Sequence, residues 1–306
     1  MLKRVAIALA LAMVQPAWAE TVHSLDQVKP HLKTPEARKT FSEQMEGKPA
    51  PDLLGIHLSA PLTSSALTTL LIPAGDTAKV NLVGAKPWPV RPDQSLAIVC
   101  TGGTAPYSAS EPSCQRSLVQ DDDNKEPPLH VYLGLVEARQ GAPASLVAAS
   151  GPIDCAMDWS KSSLPRQPMA ADDAKDGIIA FANVSQFDLA PYKIAPDQPA
   201  FGLRVSWMEG YSGGGANFGG LCLFTVEGDR LKQVLAVPMS ADADIAGDWH
   251  KDGTRDHDIT DAANLLIVSS HVTNGHFDLI VKSRAGGAQH VFHWAKEAGA
   301  YKSESK

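Results

Sequence analysis

The chain has 306 residues, of which 44% are hydrophobic and 20% charged, and its formal net charge at pH 7 is -7. This share of apolar residues can bury a core, which excludes a disordered or low-complexity protein. No cluster of Lys and Arg interrupts the acidic balance, which argues against a nucleic-acid partner held by phosphate neutralisation.

The first 19 residues predict an export signal. A basic start at Lys3 and Arg4 is followed by an apolar stretch of about ten residues and by Ala17-Trp18-Ala19, which fits an A-x-A cleavage site. A bilayer span needs about 20 apolar residues, so neither this stretch nor any later one qualifies. We therefore expect residues 1–19 to be removed, and the mature chain to be a periplasmic or secreted bacterial protein with no membrane span.

Four cysteines lie in the predicted mature chain: Cys100, Cys114, Cys155 and Cys222. An even number of cysteines in an oxidising compartment predicts disulfide bonds, and four cysteines allow three pairings. A bond between Cys100 and Cys114 would close a short loop, and Cys155 would then pair with Cys222, although the sequence does not decide between the pairings. No C-x-x-C spacing occurs, which disfavours a zinc site at the cysteines.

The predicted elements divide the mature chain at about residue 51. Residues 20–50 form an N-terminal helical segment, whose helix spans 34–46 because Thr34 can cap it, Pro35 suits its first position and Gly47 ends it. From residue 51 to 306, short apolar runs alternate with clusters of Gly, Pro, Asp and Asn, as expected for strands and turns. The strand candidates are 67–72, 95–100, 130–137, 145–149, 202–207, 221–226, 233–237, 264–269, 277–282 and 289–294.

These strands predict a mainly β fold of antiparallel hairpins, propeller-like or sandwich, with one N-terminal helix. Three hairpins resemble one another, at 131–149, 221–237 and 277–294. Repetition of this kind favours blade-like units, although any two antiparallel hairpins share the same outline. We expect one β-rich domain over residues 51–306, or two halves that meet near residues 150–177.

The glycine-rich segment 210–220 is the first candidate site. Its start, Gly210-Tyr211-Ser212-Gly213-Gly214, matches the G-x-S-x-G nucleophile elbow, but the glycines that follow are a poor helix start. We predict a turned loop between strands that forms a recognition surface through Tyr211, Ser212, Asn217 and Phe218. The alternative is a hydrolase that uses Ser212 beside a histidine, or paired carboxylates such as Glu209.

The acidic segment 240–261 is the second candidate site. It holds seven aspartates and two histidines, and we expect no cofactor there; if the segment binds Ca²⁺, the candidate oxygen ligands are Asp248, Asp252, Asp256 and Asp258. A strict EF-hand loop that starts at Asp248 is excluded, because its twelfth position is Ile259 where a bidentate Glu is needed. The expected structure is an acidic surface loop shaped by local Asx turns, and irregular Ca²⁺ binding is the alternative.

The residues from Thr273 to Tyr301 carry a resemblance to known proteins. The run Gly275-His276-Phe277-Asp278-Leu279 and the later Phe292-His293-Trp294 resemble the closing hairpins of β-rich, propeller-like exported bacterial proteins, among them periplasmic lysozyme inhibitors and immunity proteins against secreted toxins. The rest of the chain resembles uncharacterised exported bacterial β-rich proteins. The resemblance implies a binding role and supplies no site residues.

Export, the hairpins and the glycine-rich segment, together with the lack of an intact catalytic motif, predict an exported, non-catalytic binding protein. The expected partner is a periplasmic or secreted protein, and the expected role is that of an inhibitor or immunity protein against a cell-wall enzyme or toxin. A serine- or carboxylate-dependent hydrolase and a Ca²⁺-stabilised structural module are the alternatives.

Overall fold

The structure is a computed structural model that describes residues 28–45, 51–104, 114–116, 127–139 and 141–303. The predicted signal peptide, residues 1–19, lies outside the described residues. The chain divides into two compact units, Met1–Pro51 and Asp52–Lys306. Among the residues described, none of the helices combines the length and the apolar character that crossing a bilayer requires.

The described part of the first unit is helical. A 3-10 turn spans Lys29–His31, and helix α1 spans Pro35–Met45. The Oγ1 of Thr34 accepts a hydrogen bond from the backbone N–H of Ala37 at 3.1 Å, so Thr34 caps the helix. The predicted N-terminal helix is therefore confirmed, with bounds one residue inside the predicted ones.

The second unit is mainly β, and its strands are β1 (Val80–Trp88), β2 (Arg91–Thr101), β3 (His130–Glu137), β4 (Ser145–Ala149), β5 (Met157–Asp158), β6 (Ile178–Ile179), β7 (Asn183–Ala195), β8 (Gln198–Tyr211), β9 (Gly214–Glu227), β10 (Arg230–Trp249), β11 (Arg255–Thr273), β12 (His276–Ser283), β13 (Gln289–Ala295) and β14 (Ala300–Ser303). Two short helices accompany them, α2 (Ser64–Leu71) and α3 (Met169–Asp173). Strands β5 and β6 pair with each other, and the other twelve form one sheet. The predicted mainly β, antiparallel fold is confirmed.

The large sheet has two parts that join at β10. Strands β1 to β4 form the first part and β7 to β14 the second, and within each part every strand pairs antiparallel with the next. The parts meet where Arg230 of β10 pairs in parallel with Ala149 of β4. The rings of Trp88 in β1 and Phe201 in β8 lie 5.5 Å apart inside a shared apolar core, so the two parts pack face to face, as in a sandwich. The three similar hairpins therefore belong to one continuous sheet and not to separate blades.

Residues 67–72, predicted as a strand, belong almost entirely to helix α2, so that prediction is wrong. Thr63 caps the helix, because its Oγ1 accepts a hydrogen bond from a backbone N–H of the first turn at 3.2 Å. Leu67 and Leu71 lie four residues apart on one helical face and are buried against the sheet. A Cβ on Gly134 of β3 would lie 2.4 Å from Cδ2 of Leu71, so this glycine lets the helix approach the sheet closely. A short apolar run does not distinguish a buried helix from a strand.

Two disulfide bonds link separate parts of the second unit. Cys100 of β2 pairs with Cys114, with their Cα atoms 5.6 Å apart, and Cys155 pairs with Cys222 of β9, with their Cα atoms 6.0 Å apart. Of the three pairings that the sequence allows, the structure has the one that closes the short loop. The second bond fastens residues 150–177 to the large sheet.

The glycine-rich segment 210–220, predicted as a loop, is mostly strand, which corrects the prediction. It contains the end of β8, a two-residue turn at Ser212 and Gly213, and the start of β9. A Cβ on Gly214 would lie 1.9 Å from the carbonyl oxygen of Asp244, so glycine permits β9 to pair with β10 here. The glycines therefore allow close strand pairing.

The acidic segment 240–261 is also strand apart from its turn, so the predicted acidic loop is corrected as well. The distal halves of β10 and β11 pair through it. On β10, Asp242 and Asp244 are exposed whereas Ala241 and Ala243 are buried. This alternation with period 2 is typical of a strand with one covered face.

Candidate functional site

The distal halves of β10 and β11, with the turn that joins them, form a hairpin that we call the acidic arm, residues 240–261. The arm has seven aspartates against two basic residues, Lys251 and Arg255, and therefore holds -5 of the chain's net charge of -7 when the histidines are neutral. Its two strands pair from Ser240 with Ala263 to Trp249 with Arg255. Most of the net charge of the protein is thus concentrated on one hairpin.

Cross-strand pairing places the arm's carboxylates beside residues of two further strands. Met208 of β8 pairs with Asn217 of β9, and Asn217 pairs with Asp242 of β10. Asp242 in turn pairs with Asp261 of β11. Directly paired residues project to the same side of a sheet, and side chains two positions along a strand do so as well. The exposed side chains on this side, which we call the acidic face, are Met208, Asn217, Asp242, Asp244, His257, Ile259 and Asp261.

Two carboxylates of the acidic face repel each other. The pKa of Asp242 is raised above its ordinary value. Burial is the larger cause, and the negative charge of Asp261 is the second. Like charges directly opposite each other on neighbouring strands are destabilising. A positively charged group placed over Asp242 and Asp261 would relieve this repulsion.

Large apolar side chains are exposed on and beside the acidic face. The exposed fraction is 71% for Ile259, 67% for Met208 and 69% for Trp249 near the end of the arm. The guanidinium of Arg255 lies 5.2 Å from the centre of the Trp249 ring, which orients the indole. Exposed tryptophan and methionine side chains are enriched in protein-binding surfaces.

The opposite side of the same strands lines a cleft of about 530 Å³. Tyr211, Phe218 and Ile245 line it from the sheet, and Trp159 and Arg166 line it from the segment before β6. This volume falls in the range of small-molecule sites. The ring of Trp159 packs edge-on against Phe218 at 5.8 Å, which gives the cleft an aromatic floor.

Arg166 connects the cleft to the acidic arm. Its Nε donates a hydrogen bond to Oγ1 of Thr260 at 2.9 Å, and its guanidinium pairs with the carboxylate of Asp258. Thr260 and Asp258 both belong to β11 and project to the side opposite the acidic face. Because two groups of the arm are bound by one planar side chain, the arm is held in a defined orientation.

Glu209 makes a second connection, between the end of β8 and helix α3. Its carboxylate accepts a hydrogen bond from the backbone N–H of Met169 at 2.6 Å and another from the hydroxyl of Tyr211 at 2.6 Å. Burial, and then the hydrogen bond and charge of Glu209, raise the pKa of Tyr211 to about 12. The hydroxyl therefore stays protonated near neutral pH and continues to donate to Glu209, which ties α3 to the end of β8.

The indole N–H of Trp159 is buried and has no hydrogen-bond partner within the described ranges. An unsatisfied buried N–H costs about 1–3 kcal/mol.

The structure separates the residues predicted to form one recognition surface. Tyr211 and Phe218 line the cleft, whereas Asn217 belongs to the acidic face on the other side of the sheet. Ser212 lies in the turn between β8 and β9. Only two of these four residues, Tyr211 and Phe218, therefore share a surface.

The setting of Ser212 differs from a nucleophile elbow. The turn leads from one strand into another, whereas the elbow leads from a strand into a helix. No hydrogen bond joins Ser212 to a histidine in the part of the chain that the structure describes. His250 instead pairs with Asp256 at 2.7 Å, and His257 pairs with Asp244 at 2.5 Å.

The predicted Ca²⁺ ligands are spread along the acidic arm. Asp252 accepts a hydrogen bond from the backbone N–H of Thr254 at 3.0 Å, which forms an Asx turn. Asp256 pairs with His250, and Asp258 pairs with Arg166. Three of the four carboxylates thus have protein partners, and Asp248 is the fourth. Calcium binding by these residues stays a prediction.

Sequence reasoning missed Trp159 and Arg166. Arg166 lies 92 positions before Asp258, in a segment with no periodic pattern, so no local signal connects the two. Trp159 follows the short strand β5, and it belongs to the apolar core as well as lining the cleft. A tryptophan close to a disulfide cysteine, here Cys155, was the one available sign that this segment packs on the sheet.

Comparison of the chain with family models, with curated proteins and with solved structures returned no match. The chemistry of the site is therefore the basis for a functional assignment.

Proposed function

We propose that the protein is an exported, non-catalytic binding protein that captures a basic protein partner on its acidic face. The role would be that of a periplasmic inhibitor of a cell-wall enzyme or of an immunity protein against a toxin. The observation that carries the proposal is the acidic arm, which has a net charge of -5 and exposes Trp249 and Ile259 beside its carboxylates.

The charge and the apolar side chains serve different steps of binding. A concentrated negative potential attracts a basic partner and raises the association rate, an effect that salt weakens. Exposed Trp, Met and Ile side chains then lose contact with water in the complex and lower the dissociation rate. Met208, Trp249 and Ile259 supply these anchors.

The contacts behind the arm support the same role. Arg166 and Glu209 hold the arm and the end of β8 against the segment that carries α3. A binding surface that is already ordered loses less conformational entropy when the partner arrives. The acidic face is therefore presented by a braced sheet.

The test uses residues 20–306 and a panel of basic and acidic exported proteins of known sequence, with binding kinetics measured at low and high salt. The arm variant is Asp242→Asn, Asp248→Asn and Asp261→Asn together. Its matched control is Asp93→Asn, Asp197→Asn and Asp229→Asn, which removes the same charge from exposed positions outside the arm. We expect the arm variant to reduce the association rate by about tenfold or more at low salt and the control to change it little.

A second comparison addresses the apolar anchors. Ile259→Ala and Trp249→Ala are expected to increase the dissociation rate, whereas Leu146→Ala, which truncates an exposed leucine of β4, is not. The proposal is wrong if basic partners bind no better than acidic ones, or if the arm and control variants lose association rate equally.

A further inference from the structure

Two histidines and one aspartate meet on the last strands of the sheet, outside the acidic arm. His271 lies on β11, Asp278 on β12 and His293 on β13. The Oδ2 of Asp278 lies 2.5 Å from Nδ1 of His271 and 3.0 Å from Nδ1 of His293. Ligand atoms of the three side chains all lie within 4.8 Å of one another, and no other group of three or more His, Cys, Asp or Glu side chains in the described residues is gathered in this way.

The sequence builds this cluster through a tight hairpin and a bulge. Asn274 and Gly275 both have positive φ, 54° and 84°, as a two-residue type I′ turn between β11 and β12 requires. The β11–β12 register shifts between Val268 and Val272, and a bulge of this kind changes the direction of the side chains within it. The turn and the bulge together bring His271 to Asp278.

Asp278 is the buried centre of the cluster. The residue is 2% exposed, and its Oδ1 has no hydrogen-bond partner within the described ranges. Burying a carboxylate is costly unless its oxygens are paired with donors or with a cation. The Oδ2 of Asp278 faces the two imidazoles, and Oδ1 is the carboxylate oxygen that has no partner within the described ranges.

The cluster is also open to solvent on one side. The side chain of His271 is 72% exposed, whereas that of His293 is 26% exposed. The Oγ1 of Thr273 lies 3.2 Å from Nδ1 of His293, the nitrogen that also faces Asp278, so a bound ion would replace this contact. An ion can therefore reach the buried carboxylate past His271, which meets the need of a metal site for an entry path.

We propose that His271, Asp278 and His293 bind a divalent transition-metal ion, and Zn²⁺ in preference to Ca²⁺. Two imidazole nitrogens and one carboxylate oxygen are a donor set of zinc sites with three protein ligands, in which a fourth position holds water or another ligand. Ca²⁺ takes six to eight oxygen ligands, so imidazoles select against it. The site is separate from the partner surface on the acidic arm.

The test titrates the tag-free protein with Zn²⁺ by calorimetry and with Co²⁺ by visible absorption. We expect one ion per chain. His271→Ala and His293→Ala are each expected to lower the Zn²⁺ affinity by about tenfold or more, because even the loss of an outer group that orients a ligand has effects of this size. His290→Ala, which removes another histidine of β13, is the matched control and is expected to bind as the wild type does. Excess Ca²⁺ is expected not to compete.

His271→Ala is the primary variant, because removing an exposed side chain is expected to leave the fold intact. Circular dichroism of the variant checks that it is folded. The Co²⁺ spectrum adds a signal that depends on coordination and not on stability, and we expect its tetrahedral bands to disappear in this variant. The proposal is overturned if the wild type retains no Zn²⁺ at micromolar concentrations, or if the double variant His271→Ala/His293→Ala binds Zn²⁺ as tightly as the wild type. Neither result alters the test of partner capture, whose variants leave these three residues intact.

Discussion

Asp242 lies directly across the β10–β11 ladder from Asp261, so two carboxylates occupy one cross-strand position on the acidic face. Burial, and then the charge of Asp261, raise the pKa of Asp242. A carboxyl group whose pKa is higher in the folded chain binds protons more readily there than in the unfolded chain. The pair therefore reduces the free energy of unfolding as the pH rises above about 4.

We expect Asp261→Asn to increase the free energy of unfolding by on the order of 0.5 kcal/mol at pH 7. The gain should vanish near pH 3, where Asp242, whose pKa is raised, is largely protonated and no longer repels the residue opposite. Urea unfolding at both pH values measures the difference, with Asp93→Asn, an exposed acid of β2, as the control. An equal gain at pH 3 and pH 7 would contradict the repulsion between the two carboxylates.

The pKa of Asp76 is shifted in the opposite direction, because its carboxylate is surrounded by hydrogen-bond donors. Its Oδ2 accepts hydrogen bonds from Thr101 Oγ1 at 2.8 Å and Tyr132 hydroxyl at 2.7 Å, and lies 3.1 Å from Nδ1 of His130. Burial alone would raise the pKa of Asp76, but the hydrogen bonds, from Tyr132, Ala78, His130 and Thr101, outweigh it and lower the pKa. The stability that Asp76 contributes is present above its unfolded pKa of about 3.9 and decreases as the pH falls towards its folded pKa.

Asp76→Asn is therefore expected to reduce the free energy of unfolding by about 1–3 kcal/mol at pH 6. The difference from the wild type should shrink progressively below pH 4. Denaturation series between pH 2.5 and 7 measure it, and Asp197→Asn, which changes an exposed acid outside the cluster, serves as the reference. A loss that stays constant across this range would show that the charge of Asp76 is not what stabilises the fold.

Gly214 and Gly210 form a matched pair for testing how the arm is supported. A Cβ on Gly214 would lie 1.9 Å from the carbonyl oxygen of Asp244, whereas a Cβ on Gly210 would meet no atom within 4 Å. We expect Gly214→Ala to separate β9 from β10 and to accelerate amide exchange over residues 242–246, because a backbone atom cannot yield as a flexible side chain does. Gly210→Ala should leave exchange there unchanged. Similar exchange in the two variants would refute the close approach of the strands.

Arg166→Ala tests the brace between the cleft and the arm. Loss of its bonds to Thr260 and Asp258 should raise amide exchange over residues 255–261 while lowering global stability by only about 0.5 kcal/mol, since Asp258 is two-thirds exposed. Arg139→Ala removes a guanidinium that pairs with Glu137 of its own strand end and is the control. Unchanged exchange in the arm of the Arg166 variant would show that the arm is ordered without it.

The predictable parts of the fold are those with strong local signals. Strands β3 and β4 have the predicted bounds, because each is a continuous apolar run between turn residues. Strands β1 and β7 were missed, since each contains a proline and mixed polar residues that read as loop. The apolar run at residues 67–72 fits a helix and a strand equally well. The helix is favoured because it packs Leu67 and Leu71 against the sheet, where Gly134 of β3 leaves space for Leu71.

The candidate binding and metal sites depend on contacts between residues that are far apart in the chain, and a single sequence does not reveal such contacts. Tyr211, Ser212, Asn217 and Phe218 were predicted to share one recognition surface, and the alternation of Asn217 with Tyr211 and Phe218 became visible only once 210–220 was known to be strand. The contact of Arg166 with Asp258 crosses 92 positions. The cluster of His271, Asp278 and His293 was not predicted: Asn274-Gly275 marks the hairpin turn, but the bulge between Val268 and Val272 shifts the register that simple pairing would assume.

The outermost part of the arm has a practical consequence. Beyond the pairing of Ile245 with Gly214, the backbone of residues 247–256 pairs only with itself in the described part of the chain, and a Cβ on Gly253 in the turn would meet no atom within 4 Å. A foreign peptide grafted between Asp252 and Gly253 would meet no neighbouring strand. The end of this hairpin is accordingly the place where the protein should accept an epitope, a fluorophore or a crosslinker without disturbing the sheet that supports it.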